Sequence, residues 1–110
     1  MKWIDLKSDG EWSNVLEASK KEPVVVFKHS TRCSISLMAK KNLERFWEHD
    51  IAAYYLDLIQ YRNISNKIST DLGVEHQSPQ LILISNGVAL YDASHSEIDA
   101  DALDTYLVKS

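Results

Sequence analysis

The sequence comprises 110 residues, of which 45% are hydrophobic and 25% charged, a composition typical of a globular protein and not of a disordered one. This length fits a single domain over residues 1–110 and leaves no room for a second independent core. Twelve basic and sixteen acidic residues give a net charge of −4, which disfavours nucleic acid as a partner, and no apolar run approaches the roughly 20 residues that cross a membrane. Residues 1–5 lack the apolar stretch of a signal peptide, so we expect a cytoplasmic protein.

The first predicted elements are a strand, a helix and a second strand. Residues 3–6 form a short strand candidate. Ser8 with Glu11 three residues later is a capping-box signature, which predicts a helix that runs to about Lys21. Residues 24–27 form a continuous β-branched and aromatic run, which is typical of a central strand buried on both faces.

A second helix is predicted to begin near Cys33. It follows a polar stretch at residues 28–32, and its apolar residues recur at intervals of three and four, as in an amphipathic helix. The predicted apolar stripe comprises Ile35, Met38, Ala39, Leu43, Phe46 and Trp47.

The next predicted elements are a strand, a short helix and a hairpin. Residues 52–59 read as another buried strand. The short helix has its apolar positions at Ile64, Ile68 and Leu72, and Gly73 is its C-terminal stop. Asn86-Gly87 lies between apolar runs at 81–84 and 88–91, which predicts two antiparallel strands joined by a tight turn.

The last predicted element is a helix with a capping signature at Ser96 and Asp99. Its apolar stripe comprises Ile98, Ala102, Leu103, Tyr106 and Leu107. The predicted order is therefore β-α-β-α-β-α-β-β-α. Because strands joined through helices are expected to be parallel and the hairpin adds an antiparallel edge, we predict an α/β fold with a mixed central sheet and helices on both faces. This layout resembles that of thioredoxin-like proteins.

The single cysteine, Cys33, lies where the central strand gives way to the second helix. Unpaired N–H groups and the positive end of the helix dipole are expected to favour a thiolate there. Lys28 and Arg32 add positive charge, and His29 adds more if it is near the sulfur and protonated. A buried structural cysteine is the alternative, but the polar residues on both sides favour a reactive thiol.

The pair Ser78-Pro79 precedes the predicted fourth strand. On its own, a proline at the entry to a strand indicates only a turn. In combination with a cysteine at the exit of a strand and a terminal hairpin, this proline indicates a functional position. In thioredoxin-like proteins a cis proline at this place faces the cysteine and exposes backbone for an extended thiol substrate.

Residues 27–36 read Phe-Lys-His-Ser-Thr-Arg-Cys-Ser-Ile-Ser. This segment resembles the active-site segment of the YtxJ-type monothiol bacilliredoxins, thioredoxin-like proteins in which a serine stands where a dithiol enzyme has its second cysteine. The order of elements and Ser78-Pro79 extend the resemblance over essentially the whole chain. It implies that Cys33 is catalytic, with active-site neighbours His29, Ser30, Thr31, Arg32, Ser34 and Ser36. Where the family usually has a proline after the cysteine, Ser34 stands here.

The resemblance implies that the protein removes bacillithiol, a low-molecular-weight bacterial thiol, from protein mixed disulfides. Cys33 would attack the bacillithiol sulfur and release the client protein as a free thiol, and a second bacillithiol or another reductase would then reset Cys33. Ser36 cannot resolve the mixed disulfide. The implied partners are bacillithiolated client proteins and the small thiol itself, which acts as a co-substrate. We expect no other cofactor, no metal ion and a monomer.

Recognition of the substrate is expected to involve charge. Bacillithiol carries a malate with two negative charges, which a protein of net charge −4 repels unless local cations lie beside the thiol. We expect Lys28, Arg32 and the helix N-terminus to bind these carboxylates. Ser78 and Pro79 would offer backbone to the other side of the mixed disulfide.

Several other classes fit less well. Iron–sulfur glutaredoxins have Gly-Phe-Ser after the cysteine, where residues 34–36 read Ser-Ile-Ser, and a phosphatase loop needs an arginine where Ala39 stands. Peroxiredoxins match at Ser30 but need a proline where Val26 stands. The scattered histidines do not form a recognisable zinc site with the cysteine. Two alternatives stay open: a non-catalytic thioredoxin-like module with a passively thiolated Cys33, and a single-cysteine peroxidase.

Overall fold

The predicted order of strands and helices is confirmed over residues 1–107, which are the residues that the computed structural model describes. The strands are β1 (Trp3–Asp5), β2 (Val24–His29), β3 (Ala53–Asp57), β4 (Gln80–Ser85) and β5 (Val88–Ser94). The helices are α1 (Asp9–Ser19), α2 (Ser34–Phe46), α3 (Arg62–Leu72) and α4 (Asp104–Leu107), with short 3₁₀ helices at His95–Glu97 and Ala100–Leu103. None of the helices in this part of the chain is long and apolar enough to span a membrane.

The five strands form one mixed sheet in the order β1-β3-β2-β4-β5, with β2 at its centre as predicted. The strand β3 pairs in parallel with β1 and β2, whereas β4 is antiparallel to both β2 and β5. The expectation that all strands joined through helices are parallel is therefore wrong for β4. The chain leaves the sheet after β3 and returns after α3 to the same end, where Gln80 pairs with Lys28, so β4 runs back against β2.

Helices cover both faces of the sheet. Successive residues of β2 point to opposite faces, so this strand contributes to the core on each side. Val24 and Val26 face α1 and α3, where they pack with Trp12 and Ile68. On the other face, Val25 and Phe27 join a core that α2 and the C-terminal segment complete. In that second core the contributions of α2 and the C-terminal segment are Ala39, Leu43, Ile98, Ala100 and Leu103.

Local signals at several element ends are confirmed. Ser8 caps α1 by accepting the Glu11 N–H, while the Glu11 carboxylate accepts the N–H of Lys7 and not that of Ser8. The helix α3 ends at Gly73, whose φ of 65° is the left-handed conformation that glycine adopts at little cost. In the hairpin turn both Asn86 and Gly87 have positive φ, as a two-residue turn of this type requires.

Ser19, the last residue of α1, is buried and joins that helix to the hairpin turn. Its carbonyl accepts the Asn86 N–H at 2.8 Å, and its hydroxyl accepts the Gly87 N–H at 2.9 Å. Because β4 is antiparallel to β2, this turn lies at the opposite end of the sheet from the loop that carries Cys33.

The C-terminal segment differs from the single helix that the sequence predicted. Its helical part is broken into two 3₁₀ helices and the short α4, and Ile98 between them has extended backbone. The capping side chain is Asp99, which accepts the Asp101 N–H, and not Ser96. The extended stretch allows both Ile98 and Ala100 to be buried in the core that contains α2, which one continuous helix would not do. Residues 108–110 lie outside the described part.

Candidate active site

Cys33 occupies the junction between β2 and α2 that the sequence predicted. It is the N-cap residue of α2, with extended backbone, and its carbonyl accepts the Leu37 N–H at 3.0 Å. Its own N–H donates to the carbonyl of Ser30, which closes the connecting loop into a tight turn. Cys33 forms no disulfide and is partly exposed, and it lies where the unpaired N–H groups of the first helical turn favour negative charge. A thiol in this position can act as a nucleophile.

Ser36 lies buried on the first turn of α2 and bonds the ends of the loop together. Its hydroxyl oxygen accepts the Ser30 N–H at 3.0 Å and lies 2.6 Å from Nδ1 of His29. The hydroxyl can donate to an unprotonated Nδ1 or accept from a protonated one, and in either case it bonds the ring of His29 to the first turn of α2. The hydroxyl therefore fixes the loop that precedes Cys33 and does more than fill a helical turn.

His29 is the last residue of β2, and it is buried with its ring stacked on that of Phe27. The ring of Tyr55 covers it from the next strand at a centroid distance of 5.5 Å. Burial is the main cause that lowers the pKa of His29, and the positive charge of Lys40 acts in the same direction. His29 is therefore neutral at pH 7. The added positive charge that a protonated His29 would bring to the thiol is absent.

Lys28 does not belong to the polar loop that the sequence predicted, because β2 continues through Lys28 and His29. Its side chain has no exposed surface and points to the α3 face of the sheet, away from α2. There its ammonium group donates to the carbonyl of Ser65 and the hydroxyl of Ser69. The expectation that Lys28 binds substrate carboxylates is wrong, because an ammonium group enclosed on that face cannot reach a substrate at Cys33.

The remaining predicted neighbours of Cys33 lie in the loop or at the start of α2. Thr31, Arg32 and Ser34 are exposed, and Ser30 is half-buried. Of the lysine and the arginine predicted beside the thiol, only Arg32 is available to a ligand. The loop thus retains one of the two predicted cations next to Cys33.

Ser78 and Pro79 lie at the same end of the sheet as Cys33. The peptide bond between them is cis, and Pro79 is buried while Ser78 is half-buried. Gln80, the first residue of β4, pairs with Lys28 of β2. Pro79 comes one residue earlier in the chain and therefore lies level with the end of β2. The carbonyl of Pro79 accepts the His95 N–H at 3.2 Å, so the main chain after the proline is bonded to the residue that directly follows β5.

A groove of about 500 Å³ begins two residues after Cys33, between α2 and the turn that follows β5. It is lined by Ile35, Met38, Ala39, Asn42, His95, Ser96 and Ile98. Ile35 and Met38 were expected in the buried stripe of α2, yet they are 50% and 66% exposed. The helical spacing of apolar residues does not show that these two positions line a groove. The opposite wall of the groove is the turn at His95, which lies far away in the sequence.

The chain was compared with known families and solved structures. The family model described as monothiol bacilliredoxin BrxC matches residues 4–103. A solved structure assigned as an oxidoreductase with a thioredoxin fold is 34% identical, with a TM-score of 0.83 and coverage of 94% of this chain and 91% of that one. Reduced Schistosoma mansoni thioredoxin pre-protein is 26% identical, with a TM-score of 0.66 and coverage of 96% and 95%. A thioredoxin from Fasciola hepatica shares the fold at 15% identity, with a TM-score of 0.72 and coverage of 94% of each chain.

Proposed function

The chain belongs to the monothiol bacilliredoxin family, and from this premise we propose that it removes bacillithiol from protein mixed disulfides through Cys33. The observation that carries the proposal is the position of Cys33, a partly exposed residue at the N-cap of α2, with the hydroxyl of Ser36 buried one helical turn later. A dithiol enzyme has its second cysteine at that later position. Chemistry that needs one thiol fits this arrangement.

The proposed reaction starts with the thiolate of Cys33, which attacks the bacillithiol sulfur of the client's mixed disulfide. The client–bacillithiol S–S bond breaks, a bond between Cys33 and bacillithiol forms, and the client leaves as a thiolate that takes up a proton. The thiolate of a second bacillithiol then attacks the bacillithiol sulfur on Cys33. This step releases bacillithiol disulfide and restores the Cys33 thiolate. The mixed disulfide of the client is thus exchanged for bacillithiol disulfide, and the client regains its thiol as the thiol of the second bacillithiol is consumed.

Substrate recognition in this proposal uses the groups that surround Cys33 at the surface. Arg32 and the N–H groups at the start of α2 bind the malate carboxylates of bacillithiol. Ser78 and Pro79 offer main-chain groups to the client on the opposite side of the disulfide. The protein acts as a monomer in a cytoplasm that keeps thiols reduced, in cells that make bacillithiol.

The test is a reaction of the reduced protein with a bacillithiolated client protein. We expect intact-mass analysis to show one bacillithiol on Cys33 while the client thiol appears, and we expect many turnovers once free bacillithiol is added. Cys33→Ser is the control, and it should form no adduct and release no client. A client released no faster than by free bacillithiol alone would contradict the proposal and favour a passively thiolated module. Consumption of hydrogen peroxide in place of client reduction would favour the peroxidase.

A further inference from the structure

The ammonium group of Lys28 is buried without a carboxylate partner among the residues that the structure describes. Its three acceptors are the Ser65 carbonyl at 3.0 Å, the Ser69 hydroxyl at 2.9 Å and Nδ1 of His76 at 3.3 Å. Burial of a cation without a counter-charge costs free energy, and an apolar side chain of the same length would avoid that cost. The contacts of Lys28 therefore call for an explanation other than stability.

His76 is the contact that leads toward the active site. It lies in the segment of residues 73–79, which joins α3 to β4 and forms neither helix nor strand. The ammonium group of Lys28 can only donate, so Nδ1 of His76 is an acceptor in this contact and the ring is neutral. The hydroxyl of Ser65 lies 3.1 Å from the same nitrogen. Burial is the main cause that lowers the pKa of His76, with further contributions from the charges of Lys28 and Arg62.

Gln80 holds the residues on either side of His76. It is fully buried and pairs with Lys28 across β4 and β2, so both side chains point to the same face of the sheet. Its amide group donates to the carbonyl of Glu75 at 3.0 Å and accepts the N–H of Gln77 at 3.4 Å. Two paired residues of the sheet thus bond three consecutive residues of the irregular segment: Gln80 bonds Glu75 and Gln77, and Lys28 bonds His76.

We propose that Lys28 is a positioning residue: through His76 it fixes the segment that leads into Ser78-Pro79 and so sets where this backbone lies relative to Cys33. Because a segment without helix or strand has no repeating main-chain hydrogen bonds, its position depends on the side chains that hold it. The inference rests on the proposed function in one respect, namely that the backbone at Ser78-Pro79 contacts the client protein.

Amide hydrogen exchange tests the first half of this inference without any activity measurement. We expect residues 74–78 to exchange roughly tenfold faster in Lys28→Met than in the parent protein, since one hydrogen bond to the segment is lost. His76→Leu removes the same contact by replacing the acceptor, so it should have the same effect. His76→Gln offers a carbonyl acceptor to Lys28 and should restore slower exchange. Lys67→Met removes an exposed lysine from α3 and is the matched control.

Kinetics with two substrates tests the second half. For a bacillithiolated client protein we expect Lys28→Met to raise KM about fivefold to tenfold with kcat nearly unchanged, because the contact surface is misplaced while Cys33 is intact. A small disulfide such as bacillithiol disulfide does not need the backbone at Ser78-Pro79, so its rate with Cys33 should stay at the parent value. General damage to the fold would instead lower both rates.

The outcomes separate this inference from the proposed function. Unchanged exchange of residues 74–78 in both Lys28→Met and His76→Leu would overturn the inference, whatever the activity. Faster exchange with an unchanged KM for the client would overturn the positioning role. If Lys28→Met does not fold, His76→Leu and His76→Gln decide both points. A parent protein that reduces no client would contradict the proposed function, while the exchange data would still decide whether Lys28 holds the segment.

Discussion

The hydroxyl oxygen of Ser36 lies 2.6 Å from Nδ1 of His29, and this contact bonds the first turn of α2 to the last residue of β2. The same oxygen accepts the N–H of Ser30, so one buried hydroxyl holds both the strand end and the loop that leads to Cys33. The position of the thiol therefore depends on a residue that takes no part in disulfide exchange.

Replacement of this hydroxyl should cost stability. We expect Ser36→Ala to lower the free energy of unfolding by about 1–3 kcal/mol, because His29 Nδ1 and the Ser30 N–H lose their partner in a buried site. Urea unfolding monitored by tryptophan fluorescence measures this change. Ser34→Ala is the matched control, since Ser34 is exposed on the same turn and its loss should have little effect. Equal stability of Ser36→Ala and the parent protein would mean that the hydroxyl is not needed.

A cysteine at the same position should react with Cys33. In Ser36→Cys the two sulfurs lie three residues apart at a helix start, where side chains are close enough to bridge, so mild oxidation should form an internal disulfide. Thiol titration before and after oxidation measures the loss of both thiols. Ser34→Cys is the control, because adjacent residues do not reach the usual disulfide geometry. Two free thiols in oxidised Ser36→Cys would contradict the placement of Cys33 at the N-cap.

Charge recognition by the loop is expected to depend on Arg32 alone. Arg32→Ala should slow reduction of a bacillithiolated client about twofold to fivefold at low salt, and the difference should shrink at high salt as exposed charges are screened. The measurement is the initial rate at two ionic strengths. Arg45→Ala removes an exposed arginine from the far end of α2 and is the control for net charge. If Arg32→Ala equals the parent at low salt, recognition rests on the helix N-terminus and the client's own surface.

The stability of the protein should depend on pH through Lys28. Burial lowers the pKa of Lys28 from its ordinary 10.5 to about 8. Between these values the unfolded chain binds more protons than the folded protein, so this group makes the free energy of unfolding rise with pH from about 8 to about 10.5. Lys28→Met should lack that contribution, while Lys67→Met should keep it. Parallel pH profiles for the parent and Lys28→Met in urea unfolding would contradict a lowered pKa of Lys28 in the folded protein.

Much of the fold follows from local pattern. The run at residues 24–27, the turn at Asn86-Gly87 and the glycine at the end of α3 each indicate an element on their own, and all three predictions are confirmed. The direction of β4 does not follow from such patterns. It depends on the end of the sheet to which the chain returns after α3, and contacts far apart in sequence decide this.

The site shows the same division between local and distant causes. Cys33 could be placed at a helix start from its flanking residues, and the structure confirms the placement. Lys28 could not be placed, since a lysine next to a strand normally marks the strand's exposed end. Its burial needs acceptors at Ser65, Ser69 and His76, which α3 and the segment after it bring from 37 to 48 positions away in the sequence. No signal near Lys28 in the sequence indicates those partners.

The two hydrogen bonds between Ser19 and the hairpin turn have a consequence for synthesis of the chain on the ribosome. They join residues up to 68 positions apart, and the central strand β2 likewise receives β4 on one side only after β1 and α1 have long been made. Local helices can form early, but contacts between distant residues wait until both partners have emerged. The end of α1 and one edge of β2 thus stay uncovered until residues 80–87 leave the exit tunnel. We therefore expect ribosome-bound chains that end before β4 to be sensitive to proteases, and chains that expose the whole hairpin to be resistant.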